Sequence, residues 1–238
     1  AQAGVRIKKE QEINYINSNI YGFKNICNFC SRNKIKRIIY ASSSSVYDDS
    51  NSEPFSESKT LIKPKSVYGM SKLFNEVYAS AFASENNMSF LGLRLFSVYG
   101  PYGRPDMAYF SFTDSIKRDE VVRLHNDGSM ARDMTYIDDV IEGISASIDY
   151  LIKEDLNGRN EIFNIGNNSP IMTSFLLNSL KENLNIEPKV KRINTSNESV
   201  FTHANLSKSK RILGYNPKTS FEDGIKEFLN WHKTYENL

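Results

Sequence analysis

The chain has 238 residues, 39% of them hydrophobic, enough for one large domain or a domain with a small lobe around a real core. Thirty basic residues against 28 acidic ones leave a net charge of +2, which argues against a nucleic-acid surface. No apolar run approaches the length that spans a bilayer, and the first residues carry no signal-peptide pattern, so the expectation is a cytoplasmic protein with no nucleic-acid or membrane partner.

Ala1 to Arg6 reads as the middle of something, with no initiator Met. Ile13, Ile16, Ile20, Phe23, Cys27 and Cys30 then step by three and four, which predicts an amphipathic helix ending near Asn33-Lys34. Cys27 and Cys30 form one C-x-x-C. A zinc site needs four ligands and no second pair exists, so two core-facing thiols are expected, with no metal. Arg37 to Ala41 predicts a buried strand. Asp48 to Lys65 reads as a polar loop broken by Pro54 and Pro64. A helix follows over 66–85, with Leu73, Phe74, Val77, Tyr78, Ala81 and Phe82 as its apolar face, and Ser89 to Phe96 is the next strand.

Ser97 to Met107 is rich in Gly and Pro and reads as a loop. Beyond it the pattern predicts a helix over 108–117, a strand over 121–124, a turn at Asp127-Gly128, a helix over 137–152 and a strand over 161–165. The tail gives a helix over 173–184, a strand over 189–193 and helices over 207–213 and 220–235, the last two separated by Gly214-Tyr215-Asn216-Pro217. Strands alternating with helices indicate an α/β sheet with mostly parallel strands. Such a sheet, when it binds a dinucleotide, opens with a strand, a Gly-rich turn and a helix; this sequence has no G-x-x-G-x-x-G or G-x-G-x-x-G.

The stretch from Ser42 to Lys72 concentrates the chemistry. Ser42-Ser43-Ser44-Ser45-Val46-Tyr47 closes the first predicted strand, at the end where open α/β sheets place ligands. Tyr68 and Lys72 lie at i and i+4, so a phenol and an ammonium share one helix face. That spacing alone also serves an ordinary surface pair; with the serine loop it makes a proton-transfer site.

Ser43-Ser44-Ser45-Val46-Tyr47 followed 25 residues after Ser43 by Tyr68-Gly69-Met70-Ser71-Lys72 resembles the extended short-chain dehydrogenase/reductase family, and within it the sugar-nucleotide epimerases. The likeness runs through nearly the whole chain in order. Ala1 to Arg6 resembles the segment after the family's fourth strand, and Asn19 with Gly22 its N-x-x-G. Arg94 to Pro101 resembles R-x-F-x-V-Y-G-P, and Phe163 to Gly166 and Leu213 to Tyr215 also match. Gly103-Arg104-Pro105-Asp106-Met107-Ala108 and Arg132 to Asp139 look like the G-R-P-D-M-A and R-D-F-T-Y-I-D-D of UDP-glucuronate 4-epimerases.

The resemblance implies the later strands of a Rossmann doubly wound parallel sheet (1–96) plus a small α/β substrate-binding lobe (97–238, with 137–166 returning to the first domain). It implies a fragment lacking the pyrophosphate loop, whose strand at Ile38 wants a sheet neighbour. It implies NAD as cofactor, a UDP-sugar as substrate and a homodimer in the full-length protein. Tyr68, Lys72 and Ser43 would be catalytic: Tyr68 takes the proton of the sugar 4-hydroxyl, its pKa lowered from about 10 by Lys72, on the way to a 4-keto intermediate. Ala1, Gln2 and Ser42, with Tyr68 and Lys72, would contact the cofactor. Ser43, Ser44, Ser45, Ser97, Arg104 and Arg132 would contact the substrate, Arg132 through the diphosphate. Open alternatives are a polar loop for Ser44 and Ser45, a solvated arginine for Arg104 and an ion pair with Asp133 for Arg132.

The serine loop lacks the acidic residue of the dehydratases and decarboxylases, which favours simple epimerisation of UDP-glucuronate to UDP-galacturonate. UDP-glucose, a UDP-N-acetylhexosamine, or a catalytically inactive fragment that only binds UDP-sugar or a partner are the alternatives. Ser196 to Asn205, where the family has P-G-D-V-x-x-T-x-A-D, departs most and bears on the uridine side.

Overall fold

The computed structural model describes residues 1–4, 9–47, 54–58, 62–154, 156–194 and 201–235. The first long helix forms in three pieces: α1 (Ile13–Tyr15), a π-helical turn (Ile16–Tyr21) and α2 (Gly22–Arg32). The wide π turn changes which residues face inward. Tyr15 and Asn19 are buried, followed by Cys27 and Cys30, whereas Ile13, expected on the core face, is exposed. β1 (Arg37–Ser43) extends two residues further than expected. α3 (Val67–Asn86) starts at Ser66, whose Oγ accepts from Gly69 N at 3.0 Å, and ends at Asn87 in the left-handed conformation.

The expected apolar face of α3 is the second correction. The residues turned inward include Ser71, Lys72, Asn75 and Glu76 as well as Ala79 and Phe82, while Val77 is 63% exposed. Apolar side chains lie on both sides of this helix, so periodicity alone did not identify the buried one. β2 (Ser89–Leu95) follows. The stretch read as a loop contains the short strand β3 (Ser97–Tyr99) before α4 (Ala108–Lys117). Then come β4 (Val121–His125), β5 (Ala131–Tyr136), α5 (Ile137–Lys153), β6 (Asn160–Ile165), β7 (Pro170–Met172), α6 (Thr173–Leu184), β8 (Lys189–Ile193), α7 (Ser207–Leu213) and α8 (Phe221–Tyr235). Residues 48–53 and 59–61 of the Pro-flanked loop, and 196–200 of the divergent segment, lie outside the described residues.

β1, β2 and β6 form one sheet in that order, parallel throughout. β3, β5 and β7 form a second, with β5–β7 its antiparallel pair, and β4–β8 a parallel pair. The fold is therefore α/β with parallel sheets, as the sequence pattern indicates. α2 and α3 close one face of the first sheet over Cys27, Ala79, Met88 and Phe90. The other face packs Leu91, Leu93 and Phe163 against Val140, Leu151 and Tyr215. A third core, rich in aromatics, joins α4, β5, α6 and α8.

Among the described residues β1 has a strand neighbour on one side only, and a groove of about 280 Å³ lined by Ile39, Ala41, Leu95, Ile144 and Ile148 runs beside it. Among the same residues no helix is long and apolar enough to cross a membrane.

The segments around β5 and β6 are joined by Asp133. Its fully buried carboxylate accepts from the backbone N–H of Asn167 at 2.6 Å, Asn168 at 3.0 Å and Ala204 at 2.8 Å. Removing it leaves three backbone donors without their partner, that of Ala204 buried. Asp133→Ala should therefore cost about 3 kcal/mol or more, measured as a fall in the urea midpoint, whereas Asp138→Ala, on the outer side of the α5 start, should leave that midpoint nearly unchanged.

Candidate active site

Two consecutive residues at the carboxyl end of β1 are held by two residues of α3 spaced four apart. Lys72 Nζ donates to Ala41 O at 2.9 Å. Ser42 Oγ donates to Glu76 Oε1 at 2.5 Å. The Ser43 hydroxyl acts on the Tyr68 phenol, lowering its pKa. Ser43 also caps the short turn Ser44–Val46 by accepting from Ser45 N at 3.1 Å. Helix and turn approach this closely because Gly69 follows Tyr68: a Cβ there would lie 2.2 Å from Ser45 O.

Burial raises the Tyr68 pKa, and the Ser43 hydroxyl and the charge of Arg104 act against it. Lys72 Nζ sits 5.8 Å from the phenol ring centroid, engaged at Ala41 O, and its own pKa is lowered by burial. The Tyr15 ring packs on Tyr68 at 5.8 Å between centroids, and its hydroxyl donates to Gly4 O at 2.5 Å. Arg104 completes this corner. It pairs with Asp106 at 2.5 Å and lies against Gly4, where a Cβ would meet its guanidinium at 2.5 Å.

The remaining predicted residues divide. Gln2 is held by its backbone: its N–H donates to Asn19 Oδ1 at 2.7 Å, and Asn19 Nδ2 donates to Gln2 O and to Ser71 Oγ, both at 3.0 Å. Ala1 is exposed. The Ser42 hydroxyl points inward to Glu76, and the residue is 2% exposed. Ser44 and Ser45 are half-buried in the turn. Ser97 opens β3 beside Met134. Arg132 is half-buried on β5 and donates to Ala131 O at 3.0 Å, while the Asp133 carboxylate, its alternative partner, takes three backbone N–H groups. No described hydrogen bond or ion pair joins Ser97 or Arg132 to Tyr68, Lys72 or Ser43.

Sequence reading missed the interior behind this corner. Arg94 grips Glu76 with Nε to Oε1 at 2.9 Å and Nη2 to Oε2 at 2.7 Å, and its Nη1 donates to Tyr47 OH at 2.8 Å. Tyr47 OH in turn donates to Asn164 Oδ1 at 2.8 Å. The available signal was Glu76 one turn beyond Lys72, extending the Tyr68–Lys72 face.

Burial pushes the phenol of Tyr47 up to about 12 against the opposing charge of Arg94, and burial pushes Tyr109 up to about 12 as well. Both folded values lie above the ordinary tyrosine value of about 10. The folded state thus holds protons that the unfolded chain releases, so their stabilisation is full below about pH 10 and is lost as pH rises toward 12. In an absorbance titration these phenols should ionise only with cooperative unfolding.

Residues 1–166 match the NAD dependent epimerase/dehydratase family. An uncharacterized protein of Methanocaldococcus jannaschii is 42% identical over 232 residues, covering 97% of this chain and 69% of its own. UDP-glucuronate 4-epimerase 4 of Arabidopsis thaliana is 40% identical over 248 residues, covering 99% of this chain; the chain spans 57% of that enzyme's length. The crystal structure of UDP-glucuronic acid 4-epimerase from Bacillus cereus in complex with UDP-glucuronic acid and NAD superposes with a TM-score of 0.90 at 30% identity, covering 99% of this chain and 74% of that one. With a family match over more than half its length, the chain belongs to the NAD dependent epimerase/dehydratase family.

Proposed function

We propose that this chain carries the catalytic corner of an NAD-dependent UDP-sugar 4-epimerase, acting on UDP-glucuronate and UDP-galacturonate. The observation that carries the reading is the docking of α3 on the carboxyl end of a parallel strand, where buried Lys72 donates to Ala41 O at 2.9 Å and Gly69 lets Tyr68 approach the serine turn. Relatives whose names state UDP-glucuronate epimerase activity support the choice of sugar.

A phenol, a hydroxyl and an ammonium grouped there suit the nicotinamide riboside end of NAD. Lys72 would hold the ribose hydroxyls, with the backbone of Ala1 and Gln2 alongside. When bound, the dinucleotide supplies the acceptor and donor of hydride at C4. Tyr68 accepts the proton of the sugar 4-hydroxyl and returns it at the end of the cycle. Ser43 orients that hydroxyl and stabilises the phenolate. Arg104, near the phenol, favours its ionised form and meets the substrate carboxylate, as do Ser44, Ser45 and Ser97. Arg132 holds the diphosphate.

The full protein is proposed to be a cytoplasmic homodimer. Ile26 and Phe29 on α2 and Val77 on α3 expose apolar surface suited to pairing. Val77→Asp should then shift the sedimentation coefficient from dimer to monomer.

The protein extended N-terminally to the length of its relatives, given NAD and UDP-glucuronate, should form UDP-galacturonate, followed by proton NMR. Tyr68→Phe should lower the rate about 10²- to 10⁴-fold, the range of a lost general base. Turnover of UDP-glucose with none of UDP-glucuronate would overturn the substrate assignment, and full activity of Tyr68→Phe would overturn the mechanism.

A further inference from the structure

We propose that Ser42 and the buried Glu76–Arg94 pair are positioning residues that fix the register in which Ser43 meets the Tyr68 phenol. The proposal rests on the reading of Tyr68 as the proton-transfer group.

Four consecutive residues, Ser43 to Val46, carry the serine turn, and both its feet are tied to one guanidinium. At the near foot, Ser42 Oγ donates to Glu76 Oε1 at 2.5 Å, and Arg94 grips both oxygens of that carboxylate, at 2.9 and 2.7 Å. At the far foot, Arg94 Nη1 donates to Tyr47 OH at 2.8 Å and the guanidinium lies 4.7 Å from the Tyr47 ring centroid. Tyr47 is itself stacked on Phe55 at 4.9 Å and bonded to Asn164. Ser42, Glu76 and Arg94 are 2%, 6% and 3% exposed, so water does not compete for these bonds.

Ion pairs this deep are not retained for stability alone, since apolar residues of similar volume often replace them without loss. An apolar pair would fill the space but give Ser42 and Tyr47 no directional partner. The pair's geometry does what packing cannot: it ties the end of β1, the end of the turn and the middle of α3 at one point. Glu76 lies two turns along α3 from Tyr68, so the same rigid helix carries both the clamp and the phenol it aligns.

Glu76→Gln and Arg94→Met each leave a charge buried alone and are poor probes. Ser42→Ala is better, because it removes one hydroxyl and leaves the ion pair intact. The readout is the Cζ resonance of Tyr68 in the full chain labelled at tyrosine Cζ, assigned by its loss in Tyr68→Phe and recorded at neutral pH. Ser43→Ala sets the position of a phenol without the neighbouring Ser43 hydroxyl. Ser42→Ala should move the Tyr68 resonance toward that position, and Ser42→Thr, which restores the hydroxyl, should return it to the wild-type value.

A folded Ser42→Ala whose Tyr68 resonance stays at the wild-type position overturns the proposal, as does Ser42→Thr shifting as far as Ser42→Ala. Should Ser42→Ala fail to fold, Ser42→Cys carries the same test with a near-isosteric side chain. Because the resonance is read without substrate, an inactive chain or a fully active Tyr68→Phe bears on the epimerase reading and not on the clamp.

Discussion

The docking of α3 on the carboxyl end of β1 is the constraint on which the rest of this structure depends. A parallel sheet needs helices on its faces, and α3 would bury well enough by Ala79, Phe82 and Ala83 alone. Its N-terminal half instead turns Ser71, Lys72, Asn75 and Glu76 inward. Each buried polar group needs a partner, and the partners fix the helix to single residues of the strand: Lys72 to Ala41 O, Glu76 to Ser42. Hydrophobic contact would tolerate sliding by a fraction of a turn; these bonds do not.

That division explains what was legible in the sequence. Alternating strands and helices, the ends of α4, α6, β8 and α7, and the pairing of the serine turn with Tyr68 and Lys72 followed from local pattern, because each is written in neighbouring residues. The short strands β3 and β7 did not, since three residues carry no period and gain their structure from β5 between them. The inward face of α3 was misread because its polar side chains look like solvent-facing ones until Arg94, 18 residues beyond Glu76, is known to lie behind them. The same holds for the lead-in helix. A period of 3.6 predicts Ile13 inside, but across the π turn the buried positions are Tyr15 and Asn19 and Ile13 lies outside.

Site residues were legible in proportion to how local their partners are. Ser43 and Tyr68 meet through one strand and one helix, and the sequence places both. Ser42 sits in the same serine run and looks like its neighbours, yet the strand's alternation sends its hydroxyl to the opposite side, toward Glu76. The run of four serines thus divides between the last two residues of β1 and the turn that follows it.

The charge environment of the phenol links the two parts of the molecule. Ser43 belongs to the first sheet, but the other group acting to lower the Tyr68 pKa, Arg104, stands on the loop that leads into the aromatic core. That loop is packed tightly: a Cβ on Gly103 would lie 1.6 Å from the Tyr109 hydroxyl, and Tyr102 rests on Trp231 of α8 at 5.1 Å. Arg104 is 43% exposed and paired with Asp106, so its pull on Tyr68 is screened in the open chain. Excluding water from this corner, or drawing Asp106 away, strengthens that pull with no movement of Tyr68 itself. Burial, which raises the phenol's pKa, is therefore opposed by a hydroxyl from the first sheet and by a charge from the Arg104 loop.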